Sequence, residues 1–333
     1  MPTRHHQKLP TEGPVTDVQR ADLTRPTALA RPEDLIDWRL AVTWEAATSC
    51  GMIDALPGTP DEVAETAGLD AGAVAAVAHL LAEWGLLTVG HDSRITCGPA
   101  MPSPAEATAL AQHGVWVRRW SCLVGERLRD RTAPPPESLR RIDPIARLKH
   151  LAAASQSFIP RVIDACLAQA PGAKRVLDLG GGHGEYSIEL AHRGLAVTMQ
   201  DLPDVVAAAR QDPRLAGVRL VGASLVDEVA EGPFDLVLLS TVTNMFDAQT
   251  NRDLMHRIRP VLAPGGRVAI VSYMRDRGVV GAVFGVQMLV STDAGDAHAA
   301  SDHLAWLADA GFEDCSVTDL TDPPLTLVVG RRR

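Results

Sequence analysis

The chain has 333 residues, 46% hydrophobic and 22% charged, with a formal net charge of −9. That length accommodates two domains with sizeable cores, and the acidic balance disfavours nucleic acid, whose phosphates recruit basic surfaces. No uninterrupted apolar run reaches the roughly 18–20 residues of a membrane span, so no membrane partner is expected.

Residues 1–25 are polar and carry Pro2, Pro10 and Pro14, the composition of a disordered tail. The stretch Met1 to Pro10 lacks the apolar core of a secretory leader, so the expected location is cytoplasmic. Cys50, Cys97, Cys122, Cys166 and Cys315 are scattered, without a C-x-x-C pair. They read as free thiols buried as small hydrophobes, and no metal site is expected.

Helical patterning begins at Pro32-Glu33-Asp34, a helix start with early acids. Leu35, Trp38, Leu40, Ala41, Val42 and Trp44 then form an apolar surface too broad for one stripe, which implies burial on two sides. Thr59-Pro60-Asp61-Glu62 reads as a capping box with proline at the first helical position. A short helix, the turn Gly68-Leu69-Asp70, a second helix over 71–84 and a hairpin pairing 86–89 with 94–96 make a winged-helix pattern. The second helix has neither Lys nor Arg, so a DNA-reading role is disfavoured and the module reads as structural. Helices are expected over 105–130, with Trp116 and Trp120 on one face, and again from about 143 to 169. Both tryptophans read mainly as core, with pocket lining as the alternative.

From 171 onward strands and helices alternate. Strands are predicted at 175–179, 196–200, 218–221, 234–240 and 266–272, and helices at 185–193, 204–210, 250–262 and 302–310. A hairpin of 312–320 with 326–330 closes the pattern, which is that of a doubly wound α/β domain. Its first strand runs into Asp178-Leu179-Gly180-Gly181-Gly182-His183-Gly184. Glycines there let the backbone turn tightly and approach a ligand closely. The spacing is not the G-x-G-x-x-G of dinucleotide sites, because the sixth residue from Gly180 is Glu185. The second strand ends at Asp201, an acid able to accept hydrogen bonds from both ribose hydroxyls of either cofactor class.

These residues, with Asp201-Leu202-Pro203, Pro264-Gly265-Gly266 before a strand and Ala310-Gly311-Phe312 near the end, carry a resemblance that covers the chain from about residue 30. It resembles the two-domain, S-adenosylmethionine (SAM)-dependent small-molecule O-methyltransferases of the plant caffeate type and their bacterial secondary-metabolism relatives. The resemblance implies a winged-helix-like dimerisation domain over 26–100, connecting helices over 101–170 that contribute to a substrate pocket, and a Rossmann-like SAM domain over 171–333. It implies a homodimer. It places Asp178, Gly180, Gly181 and Gly182 at the methionine part of SAM, Asp201 at the ribose and Leu202 beside the adenine. Ser224 and Leu225 fall on an adenine-side element in which serine replaces the usual acid, and Ser240, at the position of a family lysine, is a further cofactor-binding candidate.

The family's general base is a histidine after the fourth strand. Counting back from Pro264-Gly265-Gly266 puts Asn244 there. An amide cannot take a proton at neutral pH; it orients or polarises by hydrogen bonding. Four readings stay open at this point. The acceptor is already nucleophilic (a carboxylate, amine, acidic phenol or enol, or activated carbon); another residue is the base, with His298 and His303 as candidates; the alignment is slipped; or the fold serves a non-methylating reaction. His183 is expected to shape the glycine turn, and Asp247 to cap the following helix. Met288 and Val283 to Val286 read equally as pocket lining and as core.

Overall fold

The computed structural model describes residues 38–136, 155–321 and 325–333, together with Leu139, Leu148 and Ala152. The expected tail at 1–25, the helix start at Pro32 and much of the expected helical stretch from 143 lie outside the described residues.

Three helices open the described chain: α1 (Trp38–Ser49), α2 (Pro60–Ala67) and α3 (Ala71–Glu83). The capping box at α2 forms as expected: Thr59 accepts from the Glu62 amide, Glu62 reaches back to the Thr59 amide, and Gly68 ends the helix in the left-handed region at φ 69°. Strands β1 (Leu87–Val89) and β2 (Ile95–Cys97) pair antiparallel as the expected hairpin. Trp44, Val63, Leu81, Leu86 and Ile95 are fully buried at the centre of this module, so α1 contributes one strong apolar face. A second side of α1 is covered by the long helix that follows, as expected, while Trp38 at its start is 60% exposed.

One helix of 26 residues, α4 (Pro104–Arg129), follows with its own capping box at Ser103 and Glu106. It lies close against α1, where a Cβ at Gly114 would overlap the Ala41 carbonyl. Trp44 Nε1 donates to the Ala107 carbonyl at 3.0 Å, and Arg118 pairs with the buried Glu45 at 2.6 Å.

The remaining elements are α5 (Ile159–Gln169), β3 (Arg175–Leu179), α6 (Glu185–His192), β4 (Ala196–Asp201), α7 (Pro203–Ala209), β5 (Arg219–Gly222), β6 (Phe234–Ser240), α8 (Ala248–Val261), β7 (Leu262–Ser272), α9 (Gly278–Ser291), α10 (Ala300–Asp309), β8 (Phe312–Asp319) and β9 (Thr326–Arg332). They build a seven-stranded sheet in the order β5-β4-β3-β6-β7-β9-β8. The first five strands are parallel, and β9 joins β7 antiparallel with β8 on the outer edge. Strand β7 begins earlier than the expected 266, because Leu262 pairs with Phe234 before the register shifts to Leu236 with Arg267. Alternate strand residues feed two cores. Val176, Met199 and Leu238 meet α5 and α6 on one face, and Leu177, Val237 and Ile270 meet α8 and α10 on the other. Strand order reverses between β3 and β6, so a crevice opens beyond their carboxyl ends.

Among the described residues no helix is long and apolar enough to cross a membrane, and no cluster of His, Cys, Asp or Glu is arranged to hold a metal. All five thiols are free, as expected, but their burial is not: Cys50, Cys97 and Cys122 are exposed, and only Cys166 is fully buried. Cys50 lies in the turn after α1, Cys97 ends β2 and Cys122 is on an outer face of α4, placements that residue type alone does not reveal. Burial pushes the Cys166 thiol up to about 12, so it stays protonated and inert. A thiol reagent such as dithionitrobenzoate is therefore expected to titrate Cys50, Cys97 and Cys122 in the folded protein and Cys166 only after denaturation. Rapid labelling of Cys166 in native buffer would contradict the packing of α5.

Candidate active site

The glycine turn sits at the carboxyl end of β3, where the strand order reverses. Gly180, Gly182 and Gly184 have φ of 78°, 53° and 81°, in the left-handed region that side chains disfavour. Neighbours also close in on it: a Cβ at Gly180 would lie 2.6 Å from Val242, and one at Gly181 would lie 2.6 Å from Met199. The turn is hung on β4. The amides of Gly180 and Gly181 donate to the Gln200 carbonyl at 2.8 and 3.3 Å, and the Gly182 amide donates to Asp201 Oδ2 at 2.8 Å. Asp201 also accepts from the Leu202 amide at 2.7 Å, so one carboxylate joins the two turns. Two acceptor oxygens offer about four lone-pair sites, which leaves capacity for ligand hydroxyls. Burial raises the Asp201 pKa against those two amides. Leu202 beside it is 53% exposed, as a residue offering an apolar face to a ligand must be.

Asp178, expected at the methionine part of SAM, points beneath the turn in this structure. It is only 1% exposed and accepts from Ser187 Oγ on α6 at 2.7 Å, bracing the turn from beneath. Burial raises its pKa from 3.8 to about 6, opposed by the Ser187 hydrogen bond and reinforced by Asp201. Between about pH 4 and 6 the folded protein therefore holds a proton that the unfolded chain has released. Stability falls as pH rises through that window and levels above it. Asp178→Asn is expected to flatten this slope and to stabilise the cofactor-free protein at pH 7.5 by on the order of 1–3 kcal/mol. Denaturant melts at pH 4.5 and 7.5 measure it; an unchanged slope would refute the assignment.

Gln200, which the sequence reading did not single out, is the hub behind the turn. It is fully buried; its side chain accepts from the Ala230 amide at 2.7 Å and donates to the Glu228 carbonyl at 2.8 Å. It thereby fixes the segment after β5 that carries Ser224 and Leu225, and Leu225 reaches the neighbourhood of Gly180. His183 Nδ1 accepts from the Glu185 amide at 3.2 Å, and burial lowers its pKa to about 4, in keeping with a role in shaping the turn.

Beyond β6 the chain passes Ser240, which hydrogen-bonds the buried Tyr186, and Thr241, whose φ of 53° is left-handed for a β-branched residue. A 3₁₀ turn, Thr243–Met245, then presents Asn244. Asn244 is 4% exposed, its Nδ2 donates to Met288 Sδ at 3.0 Å, and its Oδ1 is buried with no donor within reach. Asp247 accepts from the Thr250 amide at 2.7 Å as the cap of α8.

His298 and His303, the candidate bases, are both buried and packed around this turn. His303 is 1% exposed, with Nδ1 on the Ala299 carbonyl at 2.9 Å and Nε2 on Thr243 Oγ1 at 3.0 Å. The carbonyl fixes the proton on Nδ1, so Nε2 accepts from threonine and both nitrogens are committed. Burial lowers the His303 pKa to about 4. His298 Nε2 donates to the Phe246 carbonyl at 2.8 Å, and Asn251 Nδ2 donates to the Thr243 carbonyl at 2.8 Å. Together these buried side chains clamp both ends of the turn.

Helix α9 supplies the far wall. Met288, Phe284 and Ala297 cluster there, and Tyr273 packs edge-on to Phe284 at 5.4 Å. Trp120 Nε1 donates to Gln287 on α9 at 2.8 Å, so Trp120 docks α4 on this wall rather than sitting in a closed core. His113 lies seven residues earlier, on the same line of α4; burial lowers its pKa, so it is a neutral imidazole at pH 7. A separate shallow cavity of about 410 Å³, lined by Arg175, Arg219 and Glu231 among others, opens at the opposite, amino-terminal ends of the strands.

A family model described as an O-methyltransferase domain matches residues 148–313. The ubiquinone biosynthesis O-methyltransferase of Pseudomonas paraeruginosa is 32% identical over 166 residues, which cover 46% of this chain and 70% of that protein. The chain belongs to the O-methyltransferase family. The 3-hydroxy-5-methyl-1-naphthoate 3-O-methyltransferase of Streptomyces sahachiroi is 30% identical over 168 residues, covering 47% of this chain and 48% of its own. The chain thus spans about half the length of such a curated relative. The solved structure of an O-methyltransferase family protein from Burkholderia thailandensis follows 89% of this chain and 95% of its own, with a TM-score of 0.69 at 25% identity.

S-adenosylmethionine, the cofactor of this O-methyltransferase fold, fits the residues present. The turn carries no side chain at Gly180, Gly181 or Gly182, and Asp201 and Leu202 supply one polar and one apolar edge. Its sulfonium supplies an electrophilic methyl group.

Proposed function

We propose that this chain is a SAM-dependent methyltransferase acting on a small aromatic or polyketide- or alkaloid-like intermediate, with oxygen as the acceptor atom. The observation that carries the reading is the Gly182 amide held on Asp201, which fixes the glycine turn and the ribose-side carboxylate as one unit at the strand reversal. The 3-hydroxyl methylated by the Streptomyces relative supports an aromatic hydroxyl substrate. In this reading Gly180 to Gly182 pass over the methionine part, Asp201 accepts from the ribose, and Leu202, Ser224 and Leu225 border the adenine. Ser240 borders the cofactor, and Asn244 faces the acceptor side. The protein's own contribution is alignment and exclusion of water, since the donor is intrinsically reactive.

The reading includes a cytoplasmic homodimer. Trp38, 60% exposed at the start of α1, supports a second copy packing on that helix. Light scattering at micromolar concentration is expected to give twice the chain mass; a monomer would remove the dimer.

Methyl-labelled SAM incubated with hydroxynaphthoates and related polyketide-like phenols tests the activity. Label in an ether product is the expected result. Product formed without label would replace the reading with a non-methylating reaction on the same fold, which the absence of histidine at Asn244 leaves as the second reading.

A further inference from the structure

We propose that Asn244 Oδ1 is the group that receives the acceptor's own proton as a hydrogen bond, so that the site selects an un-ionised O–H or N–H nucleophile and rejects a carboxylate. The inference deepens the methyltransferase reading and rests on it.

The orientation of the amide comes first. Met288 Sδ has lone pairs and no proton, so only the nitrogen end of Asn244 can face it, at 3.0 Å. The oxygen end is thereby turned the other way, where it is buried without a donor. A buried carbonyl left unpaired is costly, and a ligand donor or an ordered water would relieve that cost. The orphan cannot escape by moving with its turn. Thr243 is held by His303 and Asn251, Phe246 is held by His298, and Gly295 packs directly on the Asn244 carbonyl. The turn also lies beside the methyl donor's cradle, because Val242, two residues before Asn244, packs on Gly180.

The charges in reach argue the same way. His303 is neutral at pH 7. Among the described residues, Arg127 near the end of α4 and Arg131 just beyond it lie close by, Arg127 held by the Thr292 carbonyl and Asp293 and Arg131 by the Gly295 carbonyl. An anionic acceptor would meet the negative end of the Asn244 dipole at close range. A hydroxyl or amine meets its complement.

The transfer balances without a protein base. The acceptor's lone pair forms the bond to the methyl carbon, and the sulfur–methyl bond breaks with its electron pair remaining on sulfur. The acceptor's proton, aligned on Oδ1 as its acidity rises, leaves to solvent.

The test uses the full chain saturated with S-adenosylhomocysteine, titrated calorimetrically at pH 7 with 2-naphthol and with 2-naphthoate, two probes of similar size that differ in charge. The expected result is at least about tenfold tighter binding of the naphthol. Asn244→Leu should reduce that preference to within about twofold, and Met288→Leu, which keeps volume but removes the sulfur acceptor, should narrow it with little change in thermal stability. Equal or tighter naphthoate binding, a preference unaltered in Asn244→Leu, or no binding of either probe would overturn the proposal. Failure to bind S-adenosylhomocysteine itself would instead overturn the methyltransferase reading.

Discussion

Replacing Asp201 with alanine is expected to weaken SAM binding by on the order of 100-fold. Its carboxylate accepts from the Gly182 and Leu202 amides at 2.8 and 2.7 Å. Alanine leaves both donors unpaired, frees the Gly182 end of the turn while Gly180 and Gly181 stay on the Gln200 carbonyl, and deletes the acceptor for ribose hydroxyls. A hydrogen bond to a charged group contributes about 1.5–3 kcal/mol, so losing a single such bond already accounts for about tenfold or more. Asp201→Asn retains one acceptor oxygen and should fall between, at roughly tenfold. Isothermal titration of SAM gives both numbers. An Asp201→Ala protein that binds SAM like wild type would remove the ribose assignment.

Gly295→Ala is expected to lower kcat by on the order of 100-fold while altering SAM affinity by less than about threefold. The new methyl group would overlap the Asn244 carbonyl and lie 2.7 Å from Thr292 Oγ1 and 3.1 Å from the Met245 carbonyl carbon. Backbone cannot step aside as a long side chain can, so the Asn244 turn must shift. A misplacement of about 1 Å at a reacting group costs about that factor in rate. The overpacking should also cost about 1–3 kcal/mol of stability. Steady-state kinetics beside SAM titration separate the two effects; equal losses in turnover and SAM affinity would show that the damage is not local to the acceptor side.

The sheet and its crossover helices were legible because their signals are local. Buried apolar runs such as Val176-Leu177 and Leu236 to Leu239 admit few other readings, and caps at Thr59 and Asp247 announce helices from short range. Helix α9 was not recognised as a helix because Gly278, Gly281 and Gly285 argue against one. Its reason is tertiary: a Cβ at Gly281 would overlap the Met274 carbonyl, so close approach to the end of β7 outweighs propensity. The cofactor turn was readable from spacing, but the use of Asp178 was not, since whether a strand-end acid points outward or down onto Ser187 depends on α6 packing. His298 and His303 were singled out as bases on residue type. Their commitment to the Phe246 carbonyl and Thr243 arises from contacts about 50–60 positions apart in sequence, which no local pattern encodes. The one available signal for Gln200 was an amide placed between Met199 and the strand-end Asp201.

Helix α4 belongs to two partners at once. Its Gly114 side is shaped to α1, while Arg119, Trp120 and Arg127 grip Val290, Gln287 and Thr292 at the end of α9. Recombination between relatives therefore has no clean seam on either side of α4. A chimera that exchanges acceptor preference must carry α1, α4 and 278–295 together, and a crossover placed inside that set would leave arginines facing the wrong carbonyls. Diversification of this scaffold would then proceed by point substitution on the inner wall more readily than by module exchange.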